Sequence, residues 1–187
     1  MPIATILQRV ETTTTTSRPA LVKTVMTEPQ FLALGETKHH EYYDGMCVVN
    51  PPNRRHQRAE LVIAAALGPH VPAAHELLVE WGWRTGSSWF EPDLMILLTD
   101  GPDDMAVDPP LLIVEIVSPS NRLDDLVTKR QKYAAGGLAW YWIVDLDERS
   151  LTVRELVDDL FVERQRLTAP GVTVGPVRVE IDPTALA

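Results

Sequence analysis

The stretch PPLLIVEIVSPSN, residues 109–121, constrains the rest of the chain. Leu111, Leu112, Ile113, Val114, Ile116 and Val117 form an apolar run interrupted only by Glu115, and prolines stand on both sides of it. The run is short for a helix and lacks the polar alternation of a strand with one wet face, so it reads as a β-strand buried on both faces. A sheet built around such a strand needs a layer over each side. The glutamate raises a second question, because an ionised carboxylate in a dry interior is costly unless it is paired or binds a metal.

The remaining sequence supplies the layers. Thr27 is placed to cap a first helix, with Glu28 and Pro29 in its first turn and an end near Leu34-Gly35. HHEYYDGMCVVNPP predicts two short strands about a turn at Asp44-Gly45. A second helix is expected over residues 54–67, with Leu61, Val62, Ala65 and Ala66 at helical spacing and Gly68-Pro69 as its stop. Strands follow at 77–83, 93–98 and 111–117, with the acidic, proline-rich residues 99–110 joining the last two. A third helix over 122–135 ends at Gly136-Gly137. The strand at 140–145 then turns through 147–149 to pair with 151–156, and the alternation from Val172 to Ile181 allows further short strands. Residues 1–24, with their threonine run, read as a flexible tail, and residues 25–187 as one domain. The fold class is α/β (α+β), a mixed β-sheet flanked by helices.

Composition narrows the function. A formal net charge of -9 argues against a broadly basic nucleic-acid binder, while leaving room for a local basic patch or a metal that offsets acidic charge. Cys47 is the one cysteine, which excludes an internal disulfide framework and a cysteine-rich zinc site; between Met46 and Val48 it reads as a small core residue. The sequence shows neither a secretory signal nor an apolar run of membrane-spanning length, and a cytoplasmic location is expected.

Three residues carry the chemistry. If the strands at 93–98 and 111–117 pair antiparallel, Asp93 at the start of one meets Glu115 near the end of the other. Two converging carboxylates repel unless a cation intervenes, and Mg2+, with Mn2+ as a substitute, suits oxygen ligands that leave room for water and phosphate. Lys129 shares a helix stripe with Asp125 and Tyr133 and would orient water or stabilise phosphate charge. Taken singly, each residue also has an ordinary explanation: Pro92-Asp93 as loop chemistry, Glu115 paired with a cationic side chain, Lys129 as a solvated charge or a surface ion pair with Asp125.

The motifs EYYDGMCVVNPPNRRHQR, EPDLMILL, PPLLIVEIVSPSNRLDDLVTKRQKYAAGG and AWYWIVD together resemble the Uma family of restriction-endonuclease-like proteins, within the PD-(D/E)XK nuclease superfamily, over residues 28–156. The resemblance implies a restriction-endonuclease-like fold and a magnesium-dependent endonuclease acting on nucleic acid, expected to be DNA. It assigns the PD motif to Pro92-Asp93, the acidic residue of the second motif to Glu115, the helix lysine to Lys129 and an outer ligand or base to Glu41. His56 matches a family histidine and is a candidate phosphate contact, or else a helix cap or surface residue. Two positions depart from the pattern. Val117 stands where the superfamily lysine is expected, so the site depends on Lys129 reaching in from its helix, and His40 stands where the family tends to have tyrosine.

The leading expectation is a metal-dependent endonuclease with Asp93 and Glu115 as metal ligands and Lys129 and Glu41 completing the catalytic set. Arg54, Arg55, His56 and Arg58, with Arg122, Lys129, Arg130 and Lys132, would form a local nucleic-acid-binding surface. The competing readings are a catalytically inactive nuclease-fold module and a phosphohydrolase acting on a small nucleotide. A homodimer is expected, with exposed members among Trp81, Trp83, Trp89, Trp140 and Trp142 as its seam.

Overall fold

The structure is a computed structural model and describes residues 21–35, 39–117, 122 and 124–186. Its elements run β1 (Val22–Val25), α1 (Glu28–Leu32), β2 (His40–Tyr43), β3 (Met46–Val49), α2 (Arg54–Leu67), β4 (His75–Val79), β5 (Trp83–Thr85), β6 (Ser88–Phe90), β7 (Leu94–Leu98) and β8 (Leu112–Val117). A π-helical turn, Asp124–Lys129, leads into α3 (Arg130–Ala135). After it come β9 (Trp140–Asp145), β10 (Ser150–Val157), β11 (Leu160–Leu167), β12 (Gly171–Val172) and β13 (Glu180–Ile181).

Six strands form the larger sheet in the order β11-β10-β9-β8-β7-β4. β8 and β9 are parallel and the other pairs antiparallel, so the sheet is mixed, as expected. Alternate residues of its central strands feed two cores. Leu94, Ile96, Leu112, Val114 and Ile116 pack with Ala59, Ile63 and Leu67 of α2. Met95, Ile113 and Val117 pack on the other face with Tyr43, Trp83, Phe90 and Tyr133. Both faces of β8 are therefore covered, which is why its sequence is apolar without alternation. A second sheet, β1-β3-β2-β6-β5, contributes part of the second layer.

Several expectations are corrected. Residues 22–24, assigned to the tail, belong to β1, which pairs with β3; residues 1–20 lie outside the described set, as does the SPSN stretch, 118–121. The buried face of α2 is His56, Ala59, Glu60, Ile63 and Leu67, whereas Leu61 and Val62 are exposed. The strand expected at 77–83 divides into β4 and β5, which belong to different sheets. Trp83 and Trp142 are fully buried core residues and cannot form a dimer seam; Trp81, Trp89 and Trp140 are partly buried. Cys47 is buried, as expected. Among the described residues no helix is long and apolar enough to cross a membrane.

Candidate active site

The antiparallel register of β7 and β8 pairs Leu94 with Val114 and Met95 with Ile113. Continued one residue beyond Leu94, that register brings Asp93 opposite Glu115, the juxtaposition expected from the sequence. The chain reaches Asp93 through Glu91-Pro92, the short link between β6 in the smaller sheet and β7 in the larger. The site therefore sits where the two sheets are stitched together. His39, Glu41, His56, Asp93, Glu115 and Lys129 are among the residues lining one cleft there.

Glu115 shares the face of β8 with Ile113 and Val117 and is 1 % exposed. Lys129 places Nζ 3.1 Å from its Oε1 and 3.2 Å from its Oε2. The Tyr133 hydroxyl donates to Oε1 over 2.6 Å. One helical turn separates Lys129 from Tyr133, so the start of α3 delivers both donors to one carboxylate. The π-helical turn ends at Lys129, an irregularity often found at functional sites. Tyr133 is held by an edge-on contact with Phe90 at 5.0 Å and another with Tyr141 at 5.4 Å. Burial, then the nearby Glu115 charge, push its phenol well above the usual range, so it remains a donor at neutral pH.

Lys129 also lies 2.9 Å from Glu41 Oε1. That oxygen accepts the Glu91 backbone N–H at 3.1 Å. Burial raises the Glu41 pKa, against the pull of the Lys129 charge. The reading of Lys129 as a solvated charge is thereby excluded: its side chain is 8 % exposed and lies between two glutamates. The Asp125 side chain itself lies outside the described set. Val117 is a core residue, so Lys129 supplies the ammonium from the helix instead.

Asp93 completes the cluster. Its Oδ2 accepts the Ile116 N–H at 2.6 Å and lies 3.1 Å from His56 Nε2. His56 is buried against the carboxylate, away from the open surface expected of a phosphate contact. Arg55 turns to Asp147 at 2.5 Å, while Arg54 and Arg58 are exposed. Arg122 pairs with Asp145 and Glu148, and Lys132 with Asp44. The expected basic surface is thus largely neutralised by neighbouring carboxylates.

Glu41 and Glu115 flank the Lys129 ammonium, and a third carboxylate, Asp93, lines the same cleft. With all three ionised, negative charge is left over in a poorly hydrated cleft, which favours entry of a cation or a proton. The donor set is made of hard oxygen atoms and fits Mg2+ or Mn2+. Beside it stands a group the sequence reading missed. His39, Glu80 and Glu91 each offer a ligand atom, and these atoms lie within 4.8 Å of one another. Glu91 directly precedes the Pro-Asp motif and could have been flagged from its position. Nothing local in the sequence marks Glu80, whose backbone N–H reaches the Asp93 carbonyl at 3.0 Å across two strands.

Comparison with known proteins places the chain in a family. The model of the Uma2 family, described as "Putative restriction endonuclease", matches residues 28–179. The chain belongs to this family. The crystal structure of "a putative nuclease belonging to DUF820" from Anabaena variabilis ATCC 29413 superposes with a TM-score of 0.73 at 18 % identity, over 86 % of this chain and 98 % of that one. That likeness establishes a shared fold between the Uma2 chain and the Anabaena protein. A comparison with curated proteins gave no match.

Proposed function

We propose that the protein is a metal-dependent endonuclease that hydrolyses DNA phosphodiester bonds at the Asp93–Glu115–Lys129 cluster. The observation that carries this reading is the convergence of Asp93 and Glu115 across the β7–β8 pair, with Lys129 3.1 Å from Glu115 in the same cleft. Membership of the Uma2 family supports it.

Asp93 and Glu115 would hold Mg2+. These residues would thereby bring Lewis-acid chemistry to the phosphate and a lowered pKa to bound water. The protein's own groups do the rest. Tyr133 and the strand register fix Glu115. Lys129 presents its ammonium to the cleft, where it orients the attacking water and stabilises charge that develops on the phosphate oxygens. Glu41, beside Lys129 and with its pKa raised by burial, would accept a proton from that water.

The test is cleavage of supercoiled and linear DNA with Mg2+ or Mn2+, with and without chelator. Wild type should cut only with metal, and Asp93→Ala and Lys129→Ala should each lose at least about 100-fold in rate, the usual scale for groups that act on the transition state. Variants that cut as fast as wild type would show that the cluster is not the active site.

A further inference from the structure

The Asp93 carboxylate is bound on one side only by the contacts described above. Both donors, the Ile116 amide and His56 Nε2, meet Oδ2. A carboxylate oxygen has two lone-pair positions, so these two hydrogen bonds saturate it. We propose that His56 is a positioning residue: it clamps Oδ2 so that Oδ1 is the oxygen Asp93 presents to a divalent cation. The inference rests on the metal-site reading above.

Local structure supports a clamp. Asn53 caps α2 and accepts the N–H groups of Arg55 at 2.8 Å and His56 at 3.0 Å, which pins the first helical turn. The histidine side chain is 7 % exposed, so its ring reaches Asp93 from within the protein. Donation to a carboxylate requires a hydrogen on Nε2, which the neutral tautomer protonated only at Nδ1 lacks. The amide half of the clamp belongs to β8, beside Glu115. One donor on α2 and one on β8 thus relate the Asp93 side chain to both neighbouring elements. Partners of this kind orient ligands and typically change metal affinity by about 10–100-fold when removed.

The experiment is Mn2+ titration calorimetry on the full chain, comparing wild type with Asp93→Ala, His56→Phe and His56→Gln. Circular dichroism would establish that each variant is folded. Wild type is expected to bind, Asp93→Ala to lose binding, and His56→Phe to bind about 10–100-fold more weakly. His56→Gln, which restores a side-chain N–H, should recover most of the affinity. Wild type that binds no Mn2+ overturns the metal-site reading and this inference with it. Wild type that binds, with His56→Phe equal to it or His56→Gln no better than His56→Phe, overturns the clamp alone. Should His56→Phe fail to fold, nitrogen-15 NMR of wild type decides: a protonated Nε2 at neutral pH supports the clamp, and a bare Nε2 removes it.

Discussion

Glu115 is tolerated inside a strand because neighbouring groups answer its charge, Lys129 at both oxygens and the Tyr133 hydroxyl at one. Removing only the hydroxyl isolates one of these contributions. Tyr133→Phe keeps the ring in its aromatic cage and deletes a buried hydrogen bond to a charged group. It should destabilise the fold by about 1.5–3 kcal/mol, read from urea unfolding; a change below about 0.5 kcal/mol would mean that Lys129 alone holds the carboxylate. Glu60 is the contrasting case. It is buried one turn beyond His56, and its pKa is raised to about 7, first by burial and then by Asp93 and Glu80. An unfolded glutamate ionises near 4.5. Between those values the folded state holds a proton that the unfolded chain has released, so this group makes stability fall as pH rises from 4.5 to 7. Glu60→Gln should therefore be more stable than wild type at pH 8, with the advantage disappearing below pH 4.5, as measured by urea midpoints across pH. Asp93 and Glu115 stood out in the sequence because one opens an apolar strand and the other interrupts one, whereas Lys129, inside a helix, stood out through its stripe with Tyr133 and the family resemblance. Glu60, Glu80 and His39 were not, because their meaning lies in neighbours distant along the chain.

At the level of elements, turn chemistry made the clearest parts readable. Asp44-Gly45 marks the β2–β3 hairpin, Thr27 begins α1, and paired glycines end α3. The β5–β6 hairpin escaped because its strands have three residues each and its turn residue Gly86 gives a weak signal. β11 escaped for the opposite reason: it is an edge strand, largely exposed, and its ERQR segment looks like solvent-facing loop. The glycine pair after α3 has a further role that composition could not show. A methyl group on Gly136 would lie 2.7 Å from the Trp83 ring and from Thr85 Oγ1. Trp83 is a fully buried core side chain with little room to yield. Gly136→Ala should cost about 1–3 kcal/mol through overpacking. Because α3 carries Lys129 and Tyr133, the variant should also weaken Mn2+ binding. Thermal unfolding and calorimetry on the same sample would check both; unchanged values would mean that the helix end shifts freely.

Across the whole molecule, the acidic balance and the proposed substrate pull in opposite directions. A chain with net charge -9 meets a polyanion, and five of its eight candidate contacts, Arg55, His56, Arg122, Lys129 and Lys132, face carboxylates among the described residues. Arg54, Arg58 and Arg130 are the remaining three. Nucleic-acid affinity falls with salt in proportion to the phosphate charges a protein neutralises, with a slope of about -0.9 for each contact on duplex DNA. Three arginines therefore imply a logarithmic slope of about -3, shallow beside proteins that grip DNA through many basic side chains. Binding should depend more on a cation in the carboxylate cleft, because that charge relieves repulsion where a phosphate must approach. Fluorescence anisotropy of labelled duplex DNA with Ca2+, over about 50–200 mM salt, tests both parts. The expected result is a slope near -3 with Ca2+ and strongly weakened binding with chelator. A slope near -7, unaffected by Ca2+, would instead mean that the paired basic residues exchange their carboxylates for phosphates on binding, and that affinity resides in the surface around the cleft rather than in a cation within it.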